Sequence, residues 1–176
     1  MATNKRVANR QHRWLSSVEI TGVVLSEPVL AEAGNFRSLD KAEIAAFRKQ
    51  LEIWNLPKGM VEGNGQATWI SFILEDFLGL KDSDYWQVGA SIPANRVFNL
   101  QEQQEVLRPA RVLLDEGNAV MLVLEVPREQ SLDKPWLQEK GRWKASPTTK
   151  FERLLRETGV ELGLLTNGEA WRLVVA

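Results

Sequence analysis

Two segments of the chain carry hydrophobic residues at intervals of three or four positions, the spacing that collects side chains on one face of an α-helix. In residues 39–54 the apolar positions are Ile44, Phe47, Leu51 and Trp54. In residues 67–80 they are Trp69, Phe72, Ile73, Phe77 and Leu80. Asp40 stands where the first helix would be capped, and Gly79 stands near the expected end of the second. The pattern therefore predicts two amphipathic helices.

Short runs rich in β-branched and aromatic residues predict strands elsewhere in the chain. These runs cover residues 17–25, 86–88, 96–100, 110–114 and 120–126. The last two are separated by Asp115, Glu116, Gly117 and Asn118, a sequence typical of a tight turn. We therefore expect residues 110–126 to form a β-hairpin.

A third helix is predicted after a polar segment. Residues 126–146 contain few apolar side chains and indicate a long ordered loop. Ser146 and Pro147 then supply an N-cap and a proline at the first helical position, and Gly159 stands where the helix should end.

The last part of the chain predicts two antiparallel strands, residues 162–165 and residues 171–175, joined by a tight turn at Asn167 and Gly168. After residue 66 the order is helix, several strands, helix, strand, turn and strand. This order is typical of a mixed α/β (α+β) domain, in which helices cover a sheet.

The chain divides into three predicted parts. Residues 1–16 form a basic flexible arm, residues 17–66 form an N-terminal extension with one strand and one helix, and residues 67–176 form the α/β core. The last strand reaches Ala176 without a polar tail, so we expect the natural chain to continue.

The composition excludes several kinds of chemistry. The 176 residues contain no cysteine, which excludes thiol nucleophiles, disulfides and zinc–cysteine sites and favours a reducing, cytoplasmic location. Residues 119–124 are the longest apolar run, far short of the roughly 18 residues of a membrane span. His12 is the only histidine and lies in the basic arm, so a histidine-based triad has no support.

The net charge of −1 means that any attraction to nucleic acid has to come from local basic patches. One patch is the arm at residues 1–16. The other interleaves Trp136 and Trp143 with the basic residues Lys134, Lys140, Arg142, Lys144, Lys150 and Arg153. This second patch is interpreted either as a contact for double-stranded DNA or as an ordinary solvated surface.

The predicted hairpin also suggests a metal-dependent chemistry. Glu125 ends its second strand, and a helix follows. Carboxylates at strand ends can hold Mg²⁺, which activates water and stabilises the charge on a cleaved phosphate, with assistance from a nearby lysine.

Several stretches carry a resemblance to a known family. They are Leu78-Gly79, Leu107-Arg108-Pro109, Glu125-Val126, the leucine-rich residues 151–156 and residues 161–174 with their Leu-Thr-Asn-Gly turn. The chain resembles the PD-(D/E)xK nuclease-like N-terminal domains of type I and type IIG restriction enzymes and of related phage-defence DNA methyltransferases such as those of DISARM systems. The resemblance covers residues 69–171 and, more weakly, the N-terminal third.

The resemblance implies a restriction-endonuclease-like mixed sheet flanked by helices, in a bacterial protein. It also implies a parent protein that methylates DNA. No methyltransferase motif occurs in this chain, so S-adenosylmethionine would bind in a C-terminal part beyond Ala176.

Two of the three catalytic positions of that family differ here. Arg108-Pro109-Ala110 replaces the expected Arg-Pro-Asp, and Glu125-Val126-Pro127 replaces the expected Glu-x-Lys. Alanine cannot coordinate a metal, and proline supplies neither a cation nor a proton. An alternative nuclease site would use Asp115 and Glu125 with a lysine displaced to Lys144 or Lys150. Asp115 is better explained as a turn residue.

Three hypotheses of function follow. The first is a non-catalytic accessory domain, with a degenerate nuclease motif and no cofactor of its own, which positions double-stranded DNA for a methyltransferase or docks a partner of the defence system. The second is an active Mg²⁺-dependent DNA endonuclease. The third is a protein-interaction scaffold without DNA contact.

Overall fold

The computed structural model describes residues 38–57, 60, 63–80, 85–135 and 143–176. The chain divides into two compact units, Met1–Lys41 and Ala42–Ala176. The basic arm predicted at residues 1–16 and the strand predicted at residues 17–25 lie outside the described residues.

Helix α1 covers Lys41–Trp54 and confirms the first predicted helix. Trp54 is buried, and Phe47 and Leu51 pack partly buried against the same core. Ile44, the fourth residue of the predicted stripe, is 37% exposed. The apolar face of α1 that packs against the core therefore extends from Phe47 to Trp54.

Helix α2 covers Gly65–Ser71 and continues as a π-helical segment over Phe72–Phe77. It begins two residues earlier than predicted because the Asn64 side chain caps it, accepting a hydrogen bond from the Ala67 amide at 3.3 Å. The sequence pattern predicts the helix but not its change to π geometry.

Aromatic rings join α1 to α2. Trp54 and Trp69 stack with their ring centroids 5.9 Å apart. Phe47 lies 5.1 Å from Phe77 and 5.7 Å from Trp69, between ring centroids. Each such pair adds about 1 kcal/mol beyond the apolar area that it buries. The two predicted helices therefore pack as a pair.

Seven strands form two sheets in the described part of the chain. In chain order they are β1 (Trp86–Val88), β2 (Phe98–Leu100), β3 (Glu105–Leu107), β4 (Arg111–Asp115), β5 (Asn118–Glu125), β6 (Leu162–Thr166) and β7 (Trp171–Val175). The larger sheet has the order β1-β4-β5-β6-β7, and β2 pairs with β3 in the smaller one. β5 and β6 are parallel, and the other neighbours in the larger sheet are antiparallel.

Helix α3, Pro147–Thr158, lies between the two parallel strands in sequence and begins and ends as predicted. The Ser146 side chain accepts a hydrogen bond from the Thr149 amide at 3.2 Å, and the helix ends at Gly159 with φ +65°. The predicted mixed α/β class is confirmed. None of the helices in the described ranges is long and apolar enough to cross a lipid bilayer.

The predicted hairpin is confirmed as β4 and β5, with positive φ angles at Glu116 and Gly117 in its turn. The predicted strand at residues 96–100 is shorter, because Ala94–Arg96 forms a 3-10 turn. The observed strand there is β2, and its partner β3 is not predicted by the sequence pattern.

The larger sheet separates two apolar cores. Because successive residues of a strand point to opposite faces, Leu122 packs in one core, and Met121 and Val123 pack in the other. The residues that α3 contributes to the first core are Phe151, Leu154 and Leu155. The residues that α1 and α2 contribute to the second core are Trp54, Trp69, Ile70 and Leu74.

The turn between β6 and β7 organises the loop after β5. The buried Asn167 side chain donates to the carbonyls of Arg128 and Gln130 at 3.3 and 3.0 Å. It also accepts from the amides of Glu169 and Ala170 at 3.0 and 2.8 Å. The predicted tight turn is therefore also the anchor of a neighbouring segment.

The predicted loop is described over residues 126–135 and 143–146, and Trp136 lies outside these ranges. Leu132 is buried, and its carbonyl accepts hydrogen bonds from the amide and the hydroxyl of Thr148 at 3.0 and 2.8 Å. Trp143 packs against the first core. The loop is thus fastened to the amino end of α3.

Gly163 on β6 allows α3 to approach the sheet closely. A Cβ atom at this position would lie 2.5 Å from Cε1 of the fully buried Phe151 and 2.9 Å from Cδ1 of Leu155. We expect Gly163→Ala to lower the free energy of unfolding by about 1–3 kcal/mol, as overpacking does. Urea denaturation followed by tryptophan fluorescence measures the change.

The double variant Gly163→Ala/Phe151→Leu is the matched control. The smaller leucine leaves room for the new methyl group, so the two changes together should cost less than the sum of their separate costs. Additive costs would contradict the proposed contact.

Candidate functional site

The hairpin places the two predicted acidic residues at opposite ends. Asp115 pairs with Asn118 beside the turn, whereas Glu125 is the last residue of β5. Asn118 and Glu125 are seven strand positions apart (125 minus 118), about 23 Å at roughly 3.3 Å per residue. Asp115 and Glu125 therefore cannot share a metal ion, and Asp115 has the position of a turn residue.

Glu125 contacts an arginine on the neighbouring strand. Arg111 Nε donates to Glu125 Oε1 at 2.8 Å, and Arg111 Nη1 donates to Glu75 Oε1 at 2.8 Å. Arg111 Nη2 donates to Ser71 Oγ at 2.8 Å. We refer to Ser71, Glu75, Arg111 and Glu125 as the arginine cluster.

Three elements bring the arginine cluster together. Ser71 ends the α-helical part of α2, and Glu75 lies in the π-helical segment that follows. Arg111 begins β4, and it pairs with Val123, two residues before Glu125. Arg111 and Glu125 therefore point to the same face of the sheet. Single π-helical turns occur frequently at functional sites.

The charged side chains of the arginine cluster are partly withdrawn from water, and Arg111 most of all. Arg111 is 9% exposed, and the side chains of Glu125 and Glu75 are 20% and 39% exposed. A charge withdrawn from water has to be compensated by partners nearby, and hydrogen bonds between ionised groups are stronger than neutral ones. Arg111 is thus the cation that allows two carboxylates to lie close together at the end of the hairpin.

The residues at this position do not fit a bound Mg²⁺. That ion requires near-octahedral coordination by oxygen, and Oε1 of both glutamates already accepts a hydrogen bond from Arg111. Ala110 and Pro127, at the expected aspartate and lysine positions, offer no side-chain ligand or cation. No group of three or more His, Cys, Asp or Glu suited to a metal occurs within the described ranges.

The two lysines considered for a nuclease site have different surroundings. Lys150 on α3 is 7% exposed, and its Nζ lies 2.6 Å from Glu105 Oε1. It shares a cavity wall with Leu124 and Val126, which point to the face of β5 opposite to Glu125. Lys144 is exposed in the segment before α3. The structure therefore brings neither Asp115 nor Lys150 to Glu125.

The predicted DNA-binding residues are only partly brought together. Lys150 does not belong to an exposed surface, because it is buried in an ion pair. Lys134 and Lys144 are both exposed. Lys144 precedes α3 by three residues, and the segment of Lys134 is bonded to the first turn of α3 through Leu132 and Thr148. Lys140 and Arg142 lie outside the described residues.

A salt bridge fixes the segment that carries Lys134. Arg172 Nη1 and Nη2 donate to the two carboxylate oxygens of Asp133 at 2.5 and 2.9 Å, and Nη1 also donates to Thr148 Oγ1 at 2.8 Å. The Gln130 side chain donates to the Lys134 carbonyl at 2.7 Å. Hydrogen bonding from Arg172 lowers the pKa of Asp133, although desolvation opposes this shift.

Sequence reasoning misses Arg111 and Glu75, although a signal for both exists. Arg111 begins the apolar strand run Arg-Val-Leu-Leu, and Glu75 interrupts the apolar segment at residues 67–80. Charged residues are rarely buried without a partner, so two opposite charges in apolar surroundings indicate a pair. Their separation of 36 residues hides the pairing from any local pattern.

Comparisons of the chain with protein-family models, with curated proteins and with solved structures find no match.

Removal of the Arg111 charge should destabilise the fold. We expect Arg111→Met to lower the free energy of unfolding by about 3 kcal/mol, because Glu125 loses the cation that compensates its partly buried charge. The double variant Arg111→Met/Glu125→Gln should recover much of this loss. Urea denaturation at neutral pH measures both, and a loss below about 1 kcal/mol for Arg111→Met would show that the cluster is not a stabilising unit.

Asp133 should make stability depend on pH. Its pKa in the folded protein lies below the ordinary value of 3.8, so its ionised form stabilises the fold above that value. We expect Asp133→Asn to be less stable than the native protein at about pH 7, with the difference disappearing as the pH falls through the lowered pKa. The effect should be small because the side chain is 63% exposed.

Urea denaturation midpoints of both proteins at about pH 7, 5 and 3 test this dependence. A difference that stays constant over this range would contradict the role assigned to the Asp133 carboxylate.

Proposed function

We propose that this chain is a non-catalytic, nuclease-like domain that positions double-stranded DNA for a bacterial restriction-modification or phage-defence DNA methyltransferase. The observation that carries the non-catalytic part of the proposal is the guanidinium of Arg111, bonded to Glu75 and Glu125 at the end of the hairpin. A guanidinium supplies the positive charge that balances these carboxylates. Unlike a metal ion, it does not lower the pKa of a bound water to produce a nucleophile.

The order of elements supports a restriction-endonuclease-like sheet. A hairpin of β4 and β5 is followed by α3 and by β6, which lies parallel to β5. Helices pack on both faces of this sheet. The stretches that carry the family resemblance coincide with these elements, since Glu125-Val126 ends β5 and residues 161–174 include β6 and its turn.

Two exposed lysines support the contact with DNA. Lys144 stands two residues before Ser146, the N-cap of α3, and Lys134 stands two residues after Leu132, whose carbonyl accepts from Thr148 in the first turn. The helix dipole adds partial positive charge at this end of α3. The amides of Thr148 and Thr149 in the first turn already donate to Leu132 O and Ser146 Oγ. The lysine side chains are therefore the groups that would contact phosphates.

The segment that carries Lys134 is suited to positioning DNA. It is held by the Asp133–Arg172 salt bridge and by the Leu132–Thr148 hydrogen bonds. A preordered segment loses little conformational freedom on binding. Phosphate contacts of this kind fix the position of a duplex without reading its sequence. Sequence recognition and methylation would then belong to the rest of the parent protein, together with S-adenosylmethionine.

A salt-dependent DNA titration tests the proposal. We expect the purified protein to bind a short fluorescent duplex in the absence of divalent metal, with an affinity that falls steeply as salt rises. Lys134→Ala/Lys144→Ala should weaken binding and reduce the slope of log affinity against log salt by about two, one for each lost phosphate contact.

Arg48→Ala/Lys49→Ala is the matched control, because it removes two exposed positive charges from α1. This variant should bind DNA with a nearly unchanged slope. Absence of binding at low salt would favour the protein-docking scaffold. Plasmid cleavage with Mg²⁺ or Mn²⁺ that disappears in Glu125→Ala would establish the endonuclease and overturn the proposal.

A further inference from the structure

A cavity of about 290 Å³ lies between β3, the end of β5 and α3. Its walls include the apolar side chains of Leu107, Leu124, Val126 and Leu154. It lies on the α3 side of the larger sheet, whereas Glu125 and the rest of the arginine cluster lie on the other side. The cavity is therefore a separate feature from the arginine cluster.

The polar part of this cavity is a buried ion pair. Lys150 Nζ lies 2.6 Å from Glu105 Oε1, and the two side chains are 9% and 15% exposed. Lys150 also lies 5.9 Å from the centroid of the Trp143 ring. Buried ion pairs are weak contributors to stability, since desolvation offsets the attraction. Packing alone therefore does not explain why a glutamate and a lysine stand in this apolar wall.

One oxygen of the ion pair is not satisfied. Glu105 Oε2 is buried and has no hydrogen-bond partner among the described residues. Buried acceptors without a donor are rare and costly, and each calls for an explanation. Glu105 lines the cavity, and because the last torsion of a glutamate is broad, its carboxylate can turn this oxygen towards a donor placed there.

We propose that the cavity binds a planar heteroaromatic amine of the size of a nucleobase. An amino group of the ligand donates to Glu105, and a ring nitrogen beside that amino group accepts from Lys150, whose ammonium has three N–H donors. Adenine and cytosine both carry such an edge. A cavity of about 150 Å³ holds one benzene ring, so this larger cavity is sufficient for two fused rings.

The proposal does not depend on the role in DNA positioning. The ligand could be a free base or nucleoside, or an unpaired base within a nucleic acid, because the recognised edge is the same. The exposed lysines of the proposed DNA surface, Lys134 and Lys144, do not line the cavity. Failure of one proposal is therefore distinguishable from failure of the other.

An NMR titration of the ¹⁵N-labelled protein with adenine tests the site, with purine as the matched probe that lacks the amino group. We expect amide shifts at Val106, Leu107 and Ala145, and binding of adenine about tenfold tighter than binding of purine, the usual effect of one hydrogen bond to a charged group. Glu105→Gln should remove this preference for adenine. Lys134→Ala/Lys144→Ala should bind adenine as the native protein does.

A second variant tests the same cavity in case Glu105→Gln does not fold. Ala145 lines the cavity in the segment before α3, so Ala145→Leu should fill the space without touching the ion pair and should abolish the shifts from both probes. Equal binding of adenine and purine, an absence of shifts with either, or shifts that persist in Ala145→Leu would each overturn the proposal. Adenosine and a single-stranded oligo(dA), compared at equal base concentration, identify the source of the base.

Discussion

A buried guanidinium has to be surrounded by acceptors, and in this chain that requirement joins the helical layer to the sheet. Arg111 begins β4, and its acceptors come from β5 and from both parts of α2. The same helix, α2, also packs Trp69, Ile70 and Leu74 against the sheet. The polar contact thus fixes where α2 lies along the hairpin, while the apolar contacts supply most of the burial.

The elements that the sequence predicts correctly are those whose signals are local. The helix stripes, the Ser146-Pro147 start of α3 and the two tight turns each depend on residues within a few positions of one another. β3 and the π-helical segment depend on contacts with distant parts of the chain. A strand of three residues has too little pattern of its own, because its pairing with β2 decides its conformation.

In the candidate site, too, the features with local signals are predicted and the contacts between distant residues are not. The sequence identifies the hairpin and Glu125 but groups Asp115 with Glu125, because both stand next to predicted strands. In an antiparallel hairpin, a residue after the first strand lies beside the turn, whereas a residue after the second lies at the open end. The residue that contacts Glu125 is Arg111, the first residue of β4. The expected motif of the resemblance directs attention instead to Ala110, one position earlier.

Strand alternation also explains how one short segment serves two separate sites. At the end of β5, Glu125 points towards α2 and the arginine cluster, and its neighbours Leu124 and Val126 point towards α3 and the cavity. Arg111 and Lys150, the buried basic residues of the described ranges, each pair with glutamate on their own side of the sheet. The two ion pairs differ in how completely their hydrogen-bonding atoms are satisfied. Each nitrogen of the Arg111 guanidinium has an acceptor, whereas Glu105 keeps one oxygen without a donor. A saturated cluster stabilises the fold, and an unsaturated one is where a ligand can still add a hydrogen bond.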